Sequence, residues 1–122
     1  MDVLRRLRKQ APLLRVTVVG SSMEPTLHHG QRLVVRRTGL RRLRPGQLVV
    51  FDNPTALEHP RLLVKRLHAV GPSVVAGERP VTIGADECFV LGDAPSTQDS
   101  RVFGPIPRDS IRGVVLPGLS SR

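Results

Sequence analysis

A serine follows the first apolar segment of the chain, at a point where a strand is expected to end. Ser22 comes after Val16–Val19, which predicts a strand, and after the flexible pair Gly20 and Ser21. Pro25 can begin a helical turn because the first turn of a helix needs no N–H donor there. A serine at such a junction could supply both a nucleophilic hydroxyl and an N–H donor for the oxyanion of acyl transfer. The same pattern also occurs where a serine only caps a short helix, and this stretch alone leaves both interpretations open.

A lysine lies inside the longest predicted strand, Leu62–Val70. Alternation places Lys65 on one face of that strand together with Leu63, Leu67 and Ala69. Burial among these neighbours would disfavour the ammonium form and lower the pKa of Lys65, so that it could act as a general base. All but two of the 19 basic residues are arginine, which cannot give up its proton in a protein. The structural alternative is a lysine that extends its ammonium group to solvent.

The third segment of chemical interest is Gly92–Pro105, which we predict to be a loop. It is dense in short polar side chains that can hydrogen-bond to their own backbone. Asp99 and Arg101 are expected to form a charge-assisted pair that fixes the segment. Ser96 or Thr97 could exchange a hydrogen bond with the lysine and orient it. The alternative is an ordinary surface turn.

The histidines and the cysteine point to no second catalytic group and no metal site. His28 and His29 follow Ser22 too closely to reach back to it easily, and the four histidines lack metal-ligand spacing. Cys88 lies in a strand-like run and predicts a buried, inert thiol. A single cysteine forms no intrachain disulfide, which is compatible with a reducing compartment. We therefore expect no metal and no cofactor.

The composition predicts one domain with a basic surface. The chain has 122 residues and a net charge of +9, so an acidic partner must be considered. Nucleic acid is not expected, because the chain has no Trp or Tyr to stack on bases and its three Phe are scattered. No apolar run approaches the ~18 residues of a membrane span, and the N-terminus does not read as a secretory signal. These features predict a cytoplasmic protein.

Short strands separated by close turn signals predict a mostly β, single-domain fold, either a coiled sheet or a barrel. Residues 1–12 form a separate basic segment, with a short amphipathic helix over residues 2–11 that could contact an anionic membrane weakly. The remaining domain is residues 13–122. Its predicted strands are residues 13–19, Gln31–Arg37, Gln47–Phe51, Leu62–Val70, Val74–Val75, Val81–Ile83, Glu87–Leu91 and Ser110–Leu116.

Taken in chain order, these segments resemble the signal peptidase I (S26) family of serine–lysine endopeptidases. The resemblance covers roughly Val16 to Leu116 and implies that Ser22 is the nucleophile and Lys65 the general base. The matching motifs are Gly20–Leu27, Pro45–Phe51, Lys65-Arg66, Gly92-Asp93 and Asp99–Gly104. Implied supporting residues are Gly20, Ser21, Ser96, Thr97, Asp99 and Arg101, and implied substrate contacts are Met23 and Pro25.

Two positions depart from the family pattern. Bacterial members often have, at the position of Gly20, a serine whose hydroxyl helps to hold the oxyanion. The glycine here resembles the mitochondrial inner-membrane branch of the family. Gln47 replaces an aspartate that is usual in the second motif. The oxyanion site would then depend on the Ser22 N–H and a further backbone donor. Counting back from Asp99 favours Thr97 as the residue that orients Lys65.

The resemblance also implies a function. Family members normally carry an N-terminal membrane anchor, which we do not expect here, and compact anchorless relatives include the maturation proteases of nickel-type superoxide dismutase. We therefore predict a soluble serine endopeptidase that removes a short N-terminal leader from a precursor, with that dismutase as its substrate. One alternative is a peripheral signal peptidase held on the membrane by residues 1–11. The other is a non-catalytic, repressor-type DNA-binding module, since self-cleaving repressors also combine a serine–methionine motif with a lysine-bearing strand.

Overall fold

The computed structural model describes residues 12–37, 43–55, 60–95 and 97–119, so the helix predicted over residues 2–11 lies outside the described residues. The described chain is built mainly from short strands. These are β1 Leu13–Thr17, β2 Arg32–Arg36, β3 Leu48–Asp52, β4 Leu62–Val70, β5 Ser73–Val75, β6 Val81–Ile83, β7 Glu87–Leu91, β8 Ile106–Pro107 and β9 Ile111–Val115. One helical turn, α1, spans Ser100–Phe103, and 3-10 turns span Arg108–Ser110 and Pro117–Leu119. Among these residues no helix has the length and apolar character needed to cross a bilayer.

Seven of the strands form one curled antiparallel sheet in the order β1-β2-β9-β3-β4-β7-β8, and β5 and β6 form a separate hairpin. The last long strand, β9, lies between β2 and β3 and so joins the N-terminal hairpin to the rest of the sheet. The prediction of a mostly β domain with a coiled sheet is confirmed.

The core lies on both faces of β3, which is why that strand is a continuous apolar run rather than an alternating one. Val49 and Phe51 pack into one cluster, while Leu48 and Val50 pack into the other. Cys88 is fully buried in the first cluster, as predicted, and burial raises the pKa of its thiol. Through these two clusters, β4 and the segment that follows β1 both pack against β3.

Two elements differ from the sequence prediction. The segment Gly92–Pro105 is not entirely loop, because α1 begins after Asp99, whose side chain accepts a hydrogen bond from the Arg101 N–H and caps the helical turn. The strand Ile106–Pro107 was not predicted. It is only two residues long and pairs at the edge of the sheet with β7, where a proline is tolerated. Neither element is long enough to produce a readable hydrophobic period.

Candidate active site

Ser22 lies in a turn-rich segment between β1 and β2 that is closed at its base. The Val18 N–H donates to the Gln31 carbonyl and the Gly30 N–H donates to the Val18 carbonyl, each at 2.8 Å. The Met23 side chain, immediately after the serine, is 1% exposed and packs in the second core cluster. Ser22 is therefore held between the hydrogen-bonded stem at Val18 and the buried side chain of Met23, and it lies at the surface of a groove.

Strand β4 brings Lys65 to this serine. The Lys65 Nζ lies 2.7 Å from the Ser22 Oγ, across 43 positions of sequence. Lys65 is opposite Val49 in the register of β3 and β4, and it is only 3% exposed. A lysine this deeply buried does not extend its ammonium to solvent, which removes the structural alternative considered above.

The environment of Lys65 favours its neutral form. Burial lowers the pKa of Lys65 from its ordinary value, and the negative charge of Asp99 offsets part of that shift. In the neutral form the amine has a lone pair and can accept the proton of the Ser22 hydroxyl over the same 2.7 Å. The pair therefore has the geometry of a nucleophile and its base.

Asp93 joins the third segment to the serine turn. It accepts two hydrogen bonds from the Arg66 guanidinium, at 2.9 and 2.7 Å, and one from the Thr26 hydroxyl at 2.5 Å. The Arg66 bond lowers the pKa of Asp93 more than burial raises it. The next residue, Ala94, donates its N–H to the Ser22 carbonyl at 3.0 Å. The family motifs include Arg66 and Asp93, but their contact was not predicted, because a sequence does not show which carboxylate a guanidinium contacts.

Asp99 is the buried anchor of the same segment. It accepts five hydrogen bonds, from the Gly92 and Arg101 N–H groups, the Thr97 hydroxyl and two guanidinium nitrogens of Arg101. Burial alone would raise the pKa of Asp99, but these bonds outweigh it and lower the pKa to about 2. The expected ion pair between Asp99 and Arg101 is present at 2.6 Å.

Thr97 and Ser96 were both considered as residues that orient the lysine. The Thr97 hydroxyl donates to Asp99 at 2.9 Å, so this bond connects it to Lys65 only through the Asp99 charge. Its side chain also packs on Gly92, where an added Cβ would lie 2.3 Å from the Thr97 oxygen, so glycine is required there. Ser96 lies outside the described residues.

The residues around Ser22 that the sequence assigned to support or substrate contact occupy different environments. Ser21 is exposed, and its carbonyl accepts the Glu24 N–H at 3.1 Å. Pro25 is exposed, whereas Met23 is buried and accepts a hydrogen bond at its Sδ from the Asp93 N–H. The burial of Met23 leaves it no side-chain surface for a substrate and makes it a support beneath the turn.

Gly20 is hydrogen-bonded to His29, one of the two histidines that follow the serine turn. Its N–H donates to the His29 Nδ1 at 2.9 Å. The sequence did not predict this bond, which forms because the closed stem at Val18 and Gln31 folds the two ends of the segment together. The bond occupies the Gly20 N–H, so the supporting role expected of Gly20 does not include donating this N–H to an oxyanion.

An apolar groove leads to the Ser22–Lys65 pair. It has a volume of about 270 Å³ and is lined mainly by residues 16–19 on one side and 60–65 on the other. β1 is the outermost strand of its sheet, and β7 pairs with β4 only from Arg66 onward. In the described chain, both walls of the groove thus present strand edges without a neighbouring strand.

Gln47, the second departure from the family pattern, lies in the turn before β3. The Gln47 amide oxygen accepts the Arg44 N–H at 2.8 Å, so this residue stabilises the turn before β3. Within the described ranges, no three side chains of His, Cys, Asp or Glu are grouped as a metal site requires.

Comparison with known proteins relates the chain to a peptidase family and to a mitochondrial protease subunit. The family model described as signal peptidase, peptidase S26, matches residues 9–81 and 73–117. The chain is also similar to the mitochondrial ATP-independent inner membrane protease subunit 1b of Arabidopsis thaliana, with 32% identity over 111 residues. That match covers 80% of this chain and 64% of the relative, so the chain spans less than two thirds of the relative's length.

Proposed function

The chain belongs to the signal peptidase family, peptidase S26, and we propose that it is a serine endopeptidase with Ser22 and Lys65 as its catalytic dyad. The observation that carries the proposal is the 2.7 Å contact between the Ser22 hydroxyl and a lysine that is 3% exposed. An exposed lysine at this distance would be protonated at neutral pH and could not act as a base. The burial of Lys65 lowers its pKa and so supports its proposed role as the base.

In the proposed reaction, the Ser22 Oγ attacks a peptide carbonyl while neutral Lys65 accepts the hydroxyl proton. The Lys65 ammonium then gives that proton to the departing amine as the C–N bond breaks. Water hydrolyses the acyl-enzyme in a second step, with Lys65 again accepting a proton. The Ser22 N–H is the proposed oxyanion donor, since it makes no hydrogen bond among the described residues.

The substrate is proposed to bind as an extended peptide in the groove. Backbone groups on the free edges of β1 and of residues 62–65 can pair with such a peptide, as in other cases where a peptide adds a strand to a sheet. The lining side chains Val16, Val18 and Leu62 favour apolar substrate residues beside the scissile bond. The volume of the groove, about 270 Å³, suits a short extended segment, which supports cleavage in an unstructured leader.

The proposed substrate is a precursor with an N-terminal leader, and the precursor of a nickel-type superoxide dismutase is the candidate that follows from the sequence resemblance. A membrane-directed precursor is the second candidate, favoured by similarity to a protease subunit described as belonging to an inner membrane. The proposed chemistry needs no metal, even where the substrate later binds nickel. The predicted cytoplasmic location suits the first candidate.

The test uses purified full-length protein and two precursors, a dismutase with its leader and a secretory protein with its signal peptide. Mass spectrometry of the products identifies the cleaved bond. Ser22→Ala should lower the cleavage rate by several orders of magnitude, while the circular dichroism spectrum stays unchanged. Cleavage of neither precursor, or equal cleavage by Ser22→Ala, would overturn the proposal.

A further inference from the structure

We propose that His29 is a positioning residue for the nucleophile, acting through its hydrogen bond to the Gly20 N–H. This inference rests on the proposed function, because the loop it orders is the one that carries Ser22. The His29 Nδ1 accepts the Gly20 N–H at 2.9 Å, two residues before the serine.

The backbone around His29 is itself fixed by hydrogen bonds, so the imidazole is held in position to accept the Gly20 N–H. On one side the His28 N–H donates to the Gln31 amide oxygen at 3.0 Å. On the other side the Gly30 N–H donates to the Val18 carbonyl at 2.8 Å. His29 therefore projects from the closed stem of the segment and adds a third connection above the two backbone bonds at Val18.

Gly20 is the residue in this segment that most needs such a bond. Its φ of 92° lies in the left-handed region, and no neighbouring atom lies within 4 Å of the position that a Cβ would occupy. Glycine has the largest conformational freedom to lose, so packing alone would leave its amide plane poorly determined. After it, the Ser21 carbonyl and the Ser22 carbonyl are both held by backbone N–H groups.

The His29 bond therefore completes the set of contacts that orients the Ser22 N–H. The Gly20 N–H is fixed at the start of the turn and the Ser22 carbonyl is fixed at its end by Ala94. Because the Gly20 N–H is occupied by His29, it is not available to an oxyanion. Losing the bond would let Gly20 rotate and would misplace the Ser22 N–H when negative charge develops on the substrate.

The kinetic test compares three variants of the full chain on a cleaved leader peptide. His29→Ala removes the acceptor, and kcat should fall by about ten- to a hundredfold, since a misplacement of about 1 Å can cost about a hundredfold. KM should change less than about twofold, because the groove lies on other residues. His29→Asn keeps an acceptor oxygen at a similar reach, and it should restore kcat to within about threefold of wild type. A wild-type kcat in His29→Ala, or no rescue by His29→Asn, would overturn the positioning role.

His28→Ala is the matched control, since His28 is also an exposed histidine of this segment but its side chain faces Glu24 at 3.8 Å. This variant should keep the wild-type kcat. A fall equal to that of His29→Ala would mean that any truncation in the segment disturbs the serine, and it would contradict a specific role for His29.

Amide hydrogen exchange at Gly20 tests the bond without any cleavage assay. Exchange should be several-fold faster in His29→Ala than in wild type, His29→Asn or His28→Ala. Equal exchange in all four proteins would overturn the inference even if the enzyme cleaves its leader. Protection of Gly20 by His29 in a protein that cleaves no precursor would instead overturn the proposed function and leave the bond established.

Discussion

The buried carboxylate of Asp99 opposes the effect of burial on Lys65. Burial lowers the lysine pKa because it disfavours the ammonium, while the Asp99 charge raises it because it stabilises that ammonium. Asp99 is held ionised by the five hydrogen bonds that lower its own pKa to about 2. Asp99, in the third segment, thus offsets part of the effect of burial on the pKa of Lys65, a residue of β4.

Removing the Asp99 charge should shift the pH dependence of cleavage toward acid. Asp99→Asn deletes the negative charge that favours protonated Lys65, so the lysine pKa should fall further and the base should be neutral at lower pH. The pH–rate profile of kcat/KM for Asp99→Asn should therefore rise at a lower pH than that of wild type. A rise at a higher pH in the variant would contradict an electrostatic link between the two residues.

Asp99 should also contribute to stability in a defined pH range. Its pKa is about 2 in the folded protein against an ordinary value of 3.8, so its stabilisation is fully present above about pH 4 and is lost as the pH falls toward 2. The shift corresponds to about 1–2 kcal/mol once screening through the half-exposed Arg101 is allowed for. Urea unfolding of wild type and Asp99→Asn should show a difference in free energy at pH 7 that shrinks toward pH 2.

Lys65→Arg should separate a general base from a structural cation. Arginine keeps the positive charge and much of the aliphatic stem, but its guanidinium stays protonated above pH ~12 and cannot accept the Ser22 proton. We expect a loss of at least about a thousandfold in kcat/KM. The wild-type rate should rise with pH through an apparent pKa below 10.5, because only the deprotonated lysine is active.

His68→Ala is the control for that pH profile, since His68 lies three residues along the same strand and packs against Phe89. Its profile should match that of wild type. An active Lys65→Arg enzyme, or a pH rise that disappears with His68, would falsify the serine–lysine mechanism and restore the case for a histidine base.

The Arg66–Asp93 ion pair should stabilise the serine turn. Asp93→Asn removes the charge that receives two guanidinium bonds, and charge-assisted bonds of this kind contribute about 1.5–3 kcal/mol. Because the pair is partly exposed, we expect the loss of unfolding free energy to lie near the lower end of this range. We also expect a lower kcat, because Asp93 accepts a hydrogen bond from Thr26 in the serine turn. A double-mutant cycle with Arg66→Gln measures the coupling between the two side chains. Additive losses of unfolding free energy would show that the pair is not coupled.

The basic segment 1–12 should bind anionic lipid weakly and reversibly. Four basic residues lie close together there, Arg5, Arg6, Arg8 and Lys9. Vesicle sedimentation with anionic lipid should detect binding at low salt that fades as ionic strength rises, because the Debye length is only ~8 Å at physiological ionic strength. Replacing the four residues with Gln should remove it. Retention on vesicles at high salt would contradict an electrostatic contact and favour a peripheral signal peptidase.

Most of the strands could be predicted from the sequence, because their alternating residues and flanking turn residues are close together in the chain. β4 was predicted with its observed bounds, since a long run of alternating residues ends at Gly71-Pro72. The same alternation placed Lys65 on a buried face with Leu67. Local patterns did not reveal α1 or β8, which are held by the Asp99 cap and by pairing with β7 rather than by their own periodicity.

What the sequence by itself determined was the chemical inventory: a serine in a turn after a strand, a lysine between apolar neighbours, and a polar segment with a carboxylate and a guanidinium. Only the tertiary structure decided which of these groups meet. The 2.7 Å contact of Ser22 with Lys65 depends on β9 inserting between β2 and β3, and the Gly20–His29 bond depends on closure at Val18. Strand order and loop closure are set by packing between residues far apart in sequence, and no short-range pattern contains that information.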